Sequence, residues 1–288
     1  MKKIIVKENG TLLNYLYNAD LPYSKSKLKS LLKHRCISIN GRTTTQFNDA
    51  VDVNDEITIL EYNAKLDTPL DILYEDQNIL VINKPNGLLS VPTERQNELS
   101  ALDYVKDYIK GSVYVIHRLD KFTSGVMIFA KNPQTKNFFQ KDWQKKAPER
   151  QYVAIVEGRI EKEKDTISSY LKESKDLYMY SSDEGKYAVT HYEMIASNSK
   201  YSALLVKLET GRRNQIRVHM ADIKHPIVGD SKYGSTTNPI RRLALHAYRV
   251  TIKNPVNNRA MTFTAKVPQD FTRLVSLSNL DNQRLNSF

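Results

Sequence analysis

Hydrophobic positions in the first sixty residues follow a helical repeat twice and then shorten to strand-like runs. Leucines mark the two helical faces: Leu12, Leu13 and Leu16, then Leu28, Leu31 and Leu32. The second set has the i, i+3 and i+4 spacing that is typical of amphipathic helices. Ile37-Ser38-Ile39 then leads into Asn40-Gly41, the dipeptide that most favours a tight hairpin. The pattern predicts a small unit over residues 11–61, with two helices followed by short strands.

A second pattern begins after residues 62–70, a polar, aperiodic segment that we interpret as a linker. Apolar runs separated by turns predict strands at 72–74, 79–82, 112–116, 126–130, 150–158, 191–194, 203–208, 242–252 and 261–265. One helix is predicted over 133–145, and the polar stretch 161–187 is predicted to be irregular. These runs define a domain over residues 71–275, followed by a polar tail at 276–288.

The charge of the chain favours a polyanionic partner. Lys and Arg number 43 against 32 Asp and Glu, which gives a net charge of +11 and a pI near 9.4. One basic stretch contains no acidic residue; its cations are Lys25, Lys27, Lys29, Lys33, Arg35 and Arg42. Such a run can be a solvated helix face, but its uncompensated charge makes contact with RNA phosphates the better interpretation.

Cysteine and histidine usage argues against disulfides and metal sites. Cys36 is the single cysteine, and no pair of the six histidines has the spacing of a helical metal site. The apolar run near Met1 is too short for a signal peptide, and no stretch has the length of a membrane span. We therefore expect a cytoplasmic protein with no metal and no membrane association.

Candidate chemistry is concentrated in the segment from His117 to Gly125, which lies between two predicted strands. Imidazole, guanidinium and carboxylate groups occur there within four residues, on a loop that a rigid scaffold would hold. The alternative is a solvated turn with a surface Arg–Asp pair. A protein-kinase loop is excluded because Leu119 separates Arg118 from Asp120, and because the chain has no Gly-rich phosphate loop and no Asp-Phe-Gly triplet.

A second basic group follows the predicted strand at 203–208, where Arg212, Arg213 and Arg217 accompany the opening of a predicted helix. Free backbone donors and the helix dipole make such a position suitable for anions. Arg213 and Arg217 are four residues apart, so we expect them on one helix face.

The segment from His117 to Gly125 resembles the active-site signature of RluA/RluD-type RNA pseudouridine synthases. The residues that carry the resemblance are His117-Arg118-Leu119-Asp120 and Thr123-Ser124-Gly125. Three further segments resemble family motifs in the same order: Lys84 to Gly87, Arg150 to Gly158 and Thr210 to His219. Two downstream segments, Gly229 to Gly234 and Arg242 to Ala247, also resemble family elements. There are two departures, Asn214 where the family has histidine and Phe122 where a small acidic residue is usual. The resemblance extends over nearly the whole chain.

This resemblance implies an α+β fold, with a catalytic domain built on a central mixed, largely antiparallel sheet and a preceding αL RNA-binding module of ribosomal-protein type. By motif match, Asp120 is the essential catalytic residue, Tyr152 lies beside the target base and Arg217 pairs with Asp120. Expected RNA contacts are Arg118, Lys121, Arg212, Arg213 and His219 in the catalytic domain, and Lys25, Lys29, Lys33 and Arg35 in the module.

The implied reaction is the isomerisation of specific uridines in structured RNA, ribosomal or transfer, after the base leaves its stack. No cofactor is expected, because the reaction involves no redox change and no external group, and we expect a monomer. Asp120 could attack the ribose, add to the ring or abstract a sugar proton. Two other readings are a non-catalytic RNA-binding or ribosome-assembly factor of the same fold, and a hydrolase using Ser124, for which only His117 is a nearby base.

Overall fold

The computed structural model describes residues 2–33, 36–44, 46–59, 70–93 and 99–276. The chain divides into two compact units, residues 1–69 and 70–288. The elements of the first unit are β1 (Lys2–Ile5), β2 (Gly10–Thr11), α1 (Leu12–Asn18), α2 (Lys25–Lys33), β3 (Ile37–Ile39), β4 (Arg42–Thr44), β5 (Ala50–Val51) and β6 (Glu56–Ile59).

The first unit is an antiparallel sheet in the order β1-β6-β3-β4 with α1 and α2, and β2 pairs with β5. The leucines of both predicted helical faces are buried in one cluster with Ile37 and Ile57. Asn40 and Gly41 both have positive φ and join β3 to β4, so the predicted hairpin is confirmed. The unit begins before residue 11, because β1 pairs along its whole length with β6.

The second unit contains most of the strands. Its elements are β7 (Ile72–Glu75), β8 (Ile79–Lys84), α3 (Ala101–Ile109), β9 (Tyr114–Val115), β10 (Ser124–Ala130), α4 (Pro133–Lys141), α5 (Trp143–Lys146), β11 (Glu149–Glu157), β12 (Lys164–Glu173), β13 (Met179–Ser182), β14 (Lys186–Ser197), β15 (Tyr201–Leu208), α6 (Gln215–Asp222), a 3-10 turn (Ser231–Tyr233), β16 (Leu245–Lys253), β17 (Ala260–Thr264) and α7 (Gln269–Leu274).

These strands form one sheet in the order β13-β12-β14-β15-β11-β16-β10-β8-β7, with β17 beside β16 and β9 beside β10. In the part of this unit that the structure describes, β10 and β16 pair in parallel and the other paired strands are antiparallel. The α+β class with a mixed, largely antiparallel sheet is therefore confirmed.

The prediction of an irregular stretch at 161–187 was wrong, since β12, β13 and the start of β14 occupy most of it. Side chains on β12 alternate regularly between the two sides of the sheet. The inward positions include Ser169, whose hydroxyl is hydrogen-bonded to His219 Nε2 at 3.1 Å and to Ser181 Oγ at 2.9 Å. Polar residues thus occupy both faces, which removes the hydrophobic alternation that predicts a strand.

The junction between β10 and β16 determines where the signature loop is held. Every residue of β10 is buried, which explains its uninterrupted apolar run. Gly125 pairs with Ala247 there and has φ +114°, and a Cβ on Gly125 would stand 2.2 Å from the carbonyl oxygen of Ala247. Glycine is required at this position because the two backbones approach so closely.

Three regions bear on the remaining predictions. Most of the predicted linker, residues 62–69, and most of the tail, residues 277–288, lie outside the described residues. The predicted helix at 133–145 is divided at Asp142, whose carboxylate accepts the N–H of Lys145 and caps α5. None of the helices in the described ranges is both long and apolar enough to cross a bilayer.

Candidate active site

The signature loop connects β9 to β10 and is fastened to the turn that follows β8. Ser90 Oγ donates to the carbonyl of Leu119 at 2.6 Å and accepts its N–H at 3.0 Å. The N–H of Gly87 donates to the carbonyl of Lys121 at 2.9 Å. The Lys84–Gly87 motif therefore supports the backbone on both sides of Asp120.

Lys84 is fully buried at the end of β8 and strengthens this attachment. Its ammonium donates to three carbonyl oxygens, those of Leu88 at 2.6 Å, Pro85 at 3.0 Å and Lys121 at 3.2 Å. The pKa of Lys84 is lowered to about 7, mainly by burial; the charge of Asp120 opposes the decrease and the charge of Arg242 adds to it. The motif match of Lys84 to Gly87 assigned no role to this lysine, because only the tertiary structure brings the carbonyls together.

Asp120 presents its carboxylate at a recess, with 32% of its side chain exposed. Burial raises the pKa of Asp120, and the nearby charge of Arg217 is the strongest opposing influence. The Arg217 Nη1 to Asp120 Oδ2 distance is 3.8 Å, so the two groups are within ion-pair range without close contact. Arg217 thus favours the ionised carboxylate that catalysis would use.

The principal partner of Arg217 is a residue that sequence reasoning missed, Asp230. Arg217 Nε and Nη2 donate to the two carboxylate oxygens of Asp230, each at 2.6 Å. Asp230 is 3% exposed, so this bidentate pair is buried. The only signal in the sequence was that the segment from Gly229 to Gly234 resembles a family element, which assigns no role to its aspartate.

Asn214, the first departure from the family pattern, belongs to the same network. Its Oδ1 accepts from Arg217 Nη1 at 3.1 Å, and its Nδ2 donates to the hydroxyl of Tyr233 at 3.0 Å. Asn214 also has φ +53° at the N-cap of α6, a conformation that asparagine tolerates better than most residues. Phe122, the second departure, is half exposed, with the ammonium of Lys121 above its ring at 5.7 Å.

Tyr152 lies on β11, half buried, and lines the same recess as Asp120. Burial raises the pKa of Tyr152 to about 12; the nearby charge of Arg150 lowers it and that of Asp120 adds to the increase. The phenol is consequently protonated at neutral pH.

Two connected cavities surround Asp120. The recess of about 90 Å³ is lined by Asp120, Tyr152 and Arg217 among others, and it opens beside a cleft of about 430 Å³, a size typical of ligand pockets. The cleft is strongly cationic, and its basic lining residues are Arg118, Lys121, Arg150, Arg212 and Arg213. A polyanion is the ligand that this charge favours.

Predicted RNA-contact residues of the catalytic domain have different surroundings. Arg118 is exposed at the cleft, and Arg212 lies there with its Nε donating to the carbonyl of Tyr187 at 2.9 Å. Arg213 precedes α6 and pairs with Glu173. The expectation that Arg213 and Arg217 share a helix face was therefore wrong, because the left-handed Asn214 separates Arg213 from the helix.

His219 requires a second correction. Its side chain is fully buried, with Nδ1 at 2.8 Å from Thr190 Oγ1 and Nε2 at 3.1 Å from Ser169 Oγ. Burial lowers the pKa of His219 to about 4, so the ring is neutral at physiological pH. This histidine anchors α6 to the sheet and presents no surface to RNA.

Ser124 has a histidine partner, but not the one that the hydrolase reading considered. Its hydroxyl is 2.8 Å from His246 Nδ1, and Arg242 Nη2 donates to it at 2.6 Å. Ser124 and His246 are 4% and 1% exposed. A substrate cannot reach this pair, so we assign it to the β10–β16 junction.

Within the first unit, Lys25 and Lys29 are exposed on α2, and the ammonium of Lys25 lies 5.1 Å from the ring centre of Tyr17. The side chain of Lys33 and all of Arg35 lie outside the described residues. The role of these lysines in RNA binding stays a prediction. Across the described ranges, no group of three or more His, Cys, Asp or Glu side chains is arranged to hold a metal ion.

Fold and site together define an α+β protein in which the carboxylate of Asp120 lines a cationic cleft. Residues 78–222 match the model of the RNA pseudouridylate synthase family. The chain is 35% identical to the uncharacterized RNA pseudouridine synthase YhcT of Bacillus subtilis, over 93% of each chain. It is 32% identical to the ribosomal large subunit pseudouridine synthase D of Escherichia coli O6:H1, over 90% of this chain and 87% of that one.

The chain therefore belongs to the RNA pseudouridylate synthase family, and its predicted RluA/RluD-type membership is confirmed. It is an enzyme of the isomerase class, an RNA pseudouridine synthase. The fold is also that of the human RNA pseudouridylate synthase domain containing 1, with a TM-score of 0.62 and 22% identity over 76% of this chain and 95% of that one.

Proposed function

We propose that this enzyme converts uridine to pseudouridine in ribosomal RNA, with Asp120 as the catalytic carboxylate acting on a uridine that has left its stack. The observation that carries the proposal is the position of Asp120, whose carboxylate opens into the recess beside Tyr152 and within ion-pair range of Arg217. In this isomerisation the N1–C1′ bond breaks, a C5–C1′ bond forms, C5 loses a proton and N1 gains one.

Asp120 acts in its ionised form, whichever of the three routes it follows. Burial works against that form, and Arg217, Arg213 and Lys84 all favour it. Arg217 is itself held by Asp230 through two short hydrogen bonds, which keeps its guanidinium in place when RNA is absent. The network therefore supports one carboxylate held ready in a partly desolvated site.

Tyr152 is suited to holding the uracil ring. It shares the recess with Asp120, and its phenol stays protonated at neutral pH because burial raises its pKa to about 12. An aromatic ring there can stack on a pyrimidine, and the hydroxyl can donate a hydrogen bond to it.

A flipped base accounts for the dimensions of the site. Asp120 lies in a recess joined to a cleft, and an enzyme that works on a base in a pocket must take that base out of its stack. The cationic lining would hold the flanking backbone during this step. Relatives named as ribosomal large subunit pseudouridine synthases support ribosomal RNA as the substrate, with transfer RNA as the alternative.

Asp120→Asn tests the catalytic assignment. We expect tritium release from RNA labelled at uridine C5 to be abolished, while RNA affinity stays within a few fold, because the amide keeps the shape and the phosphate contacts. Appreciable turnover by the variant would refute the role of Asp120.

The substrate is tested separately by mapping pseudouridine in ribosomal and transfer RNA from cells with and without the gene. Loss of one or more sites confined to ribosomal RNA is expected. Loss confined to transfer RNA would overturn the choice of substrate and leave the catalytic assignment untouched.

A further inference from the structure

Arg150 is a buried cation of the cleft to which the proposed reaction assigns no role of its own. The residue is 5% exposed, and its Nη2 donates to the carbonyls of Glu209 at 2.6 Å and Leu208 at 3.0 Å. Its Nε is buried without a hydrogen-bond partner, and no carboxylate of the described ranges forms an ion pair with it. A buried guanidinium without an anion is costly, so a purely structural role is a poor explanation for it.

Arg150 lies on the wall of the cleft that contains Asp120. It precedes Tyr152 by two residues on β11, so both side chains project from the same face of the strand. Both residues line the 430 Å³ cleft. The guanidinium is consequently a neighbour of the target site without being part of the recess that holds Asp120.

His117 places a hydrogen-bond donor on the same wall. Its Nε2 accepts the backbone N–H of Ile128 at 3.0 Å, so in the neutral ring the proton is on Nδ1. Burial and the charge of Arg150 lower the pKa of His117 to about 3, which keeps the ring neutral. The ring is stacked on Trp143, with centroids 4.6 Å apart and planes 12° from parallel, so its orientation is fixed.

Gly211 leaves the approach to Arg150 open. A Cβ on Gly211 would lie 3.1 Å from Arg150 Nη1, and it would approach no other atom within 4 Å. Nη1 makes no hydrogen bond to any residue that the structure describes, whereas Nη2 makes two. The absent side chain thus leaves space beside the unoccupied end of the guanidinium.

We propose that Arg150 Nη1 and His117 Nδ1, beside the open wall at Gly211, form a subsite for a backbone phosphate of the RNA next to the target uridine. The subsite offers a full positive charge and donors, which matches the several acceptor oxygens of a phosphate and would leave the polar edge of a base only partly paired. This inference rests on the proposed function, since it deepens RNA recognition at the same cleft.

Gly211→Ala provides the sharpest variant, because it crowds Nη1 while leaving both carbonyl bonds of Arg150 intact. We expect the Kd for unmodified, transcribed large-subunit ribosomal RNA to rise about tenfold, as for the loss of one charge-assisted contact. The slope of log Kd against log salt should fall by about 0.7 to 0.9, the contribution of one phosphate. Gly111→Ala is the matched control, since an added Cβ there meets only ordinary contacts and lies outside the cleft.

The phosphate itself is tested with a synthetic RNA stem-loop that has one uridine in its loop, in which each linkage near that uridine is replaced in turn by a neutral methylphosphonate. For the wild type, methylphosphonate replacement at one linkage should weaken binding about tenfold. For Arg150→Met the same replacement should have no further effect, because the contact between Arg150 and that phosphate is already lost. Arg150→Lys should recover part of the sensitivity.

Equal losses in the wild type and in Arg150→Met at every linkage would overturn the subsite, as would an unchanged Kd and salt slope for Gly211→Ala. These measurements use binding alone. A failure of the enzyme to isomerise ribosomal RNA would therefore refute the proposed function without affecting the result for Arg150.

Discussion

Gly125→Ala should damage the enzyme severely, because the added methyl group has no space at the β10–β16 junction. The Cβ would stand 2.2 Å from the carbonyl oxygen of Ala247 and 2.7 Å from its carbonyl carbon and nitrogen. All three are backbone atoms, so no side chain can turn away, and the strands must separate by about 1 Å to restore van der Waals contact. The parallel pairing of Ser124 and Gly125 with β16 would be lost.

Two contributions set the size of the effect. Positive φ costs a non-glycine residue about 1–2 kcal/mol, and forced overpacking adds about 1–3 kcal/mol. With the lost pairing, we expect destabilisation of about 4 kcal/mol. For a domain of this size each kcal/mol lowers the Tm by about 2–4 °C, so Gly125→Ala should melt about 10 °C below the wild type.

Gly87→Ala is a matched control for this prediction. Gly87 also has positive φ, +82°, but an added Cβ there meets no atom within 4 Å. Gly87→Ala should therefore lower the free energy of unfolding only by the cost of positive φ in a non-glycine residue, about 1–2 kcal/mol. Calorimetry of both variants beside the wild type measures the difference, and melting temperatures within about 2 °C of each other would refute the steric reasoning.

Three further predictions follow from the site. Arg217→Met should move the acid limb of the pH–rate profile to higher pH, because it removes the cation that lowers the pKa of Asp120. Asp230→Asn should move the same limb to lower pH, because it removes a negative charge that raises this pKa. Shifts of both variants in the same direction would contradict this reasoning. The pKa of Lys84 is about 7 in the folded protein and about 10.5 in the unfolded chain. Between pH 7 and pH 10.5 the unfolded chain therefore binds more protons than the folded protein. In denaturant titrations, the free energy of unfolding of the wild type should therefore rise relative to that of Lys84→Met from pH 7 to 10.5. A difference between the two proteins that stays constant with pH would show that the carbonyls keep the ammonium charged. Deleting residues 1–69 should leave a folded catalytic unit that binds ribosomal RNA with a shallower salt dependence; an unchanged slope would mean that Lys25 and Lys29 contact no phosphate.

The sequence by itself determined the features that depend on local pattern. Asn40-Gly41 predicted a hairpin because both residues accept positive φ, and the buried strand β10 was recognisable from its continuous apolar run. The signature around Asp120 predicted the family for a similar reason, since its residues are contiguous along the chain. Local geometry and adjacent chemistry can be read without knowing the fold.

Only the tertiary structure decided which distant groups meet. Arg217 is held by Asp230, thirteen positions further on, and Lys84 by the carbonyl of Lys121, thirty-seven positions away. His219 and Arg150 both lie in segments that resemble family motifs, yet His219 is enclosed by hydroxyls and Arg150 lines the cleft. Burial and the identity of partners across the sheet set the charge and the role of each side chain, and neither is encoded in the spacing of residues along one strand or helix.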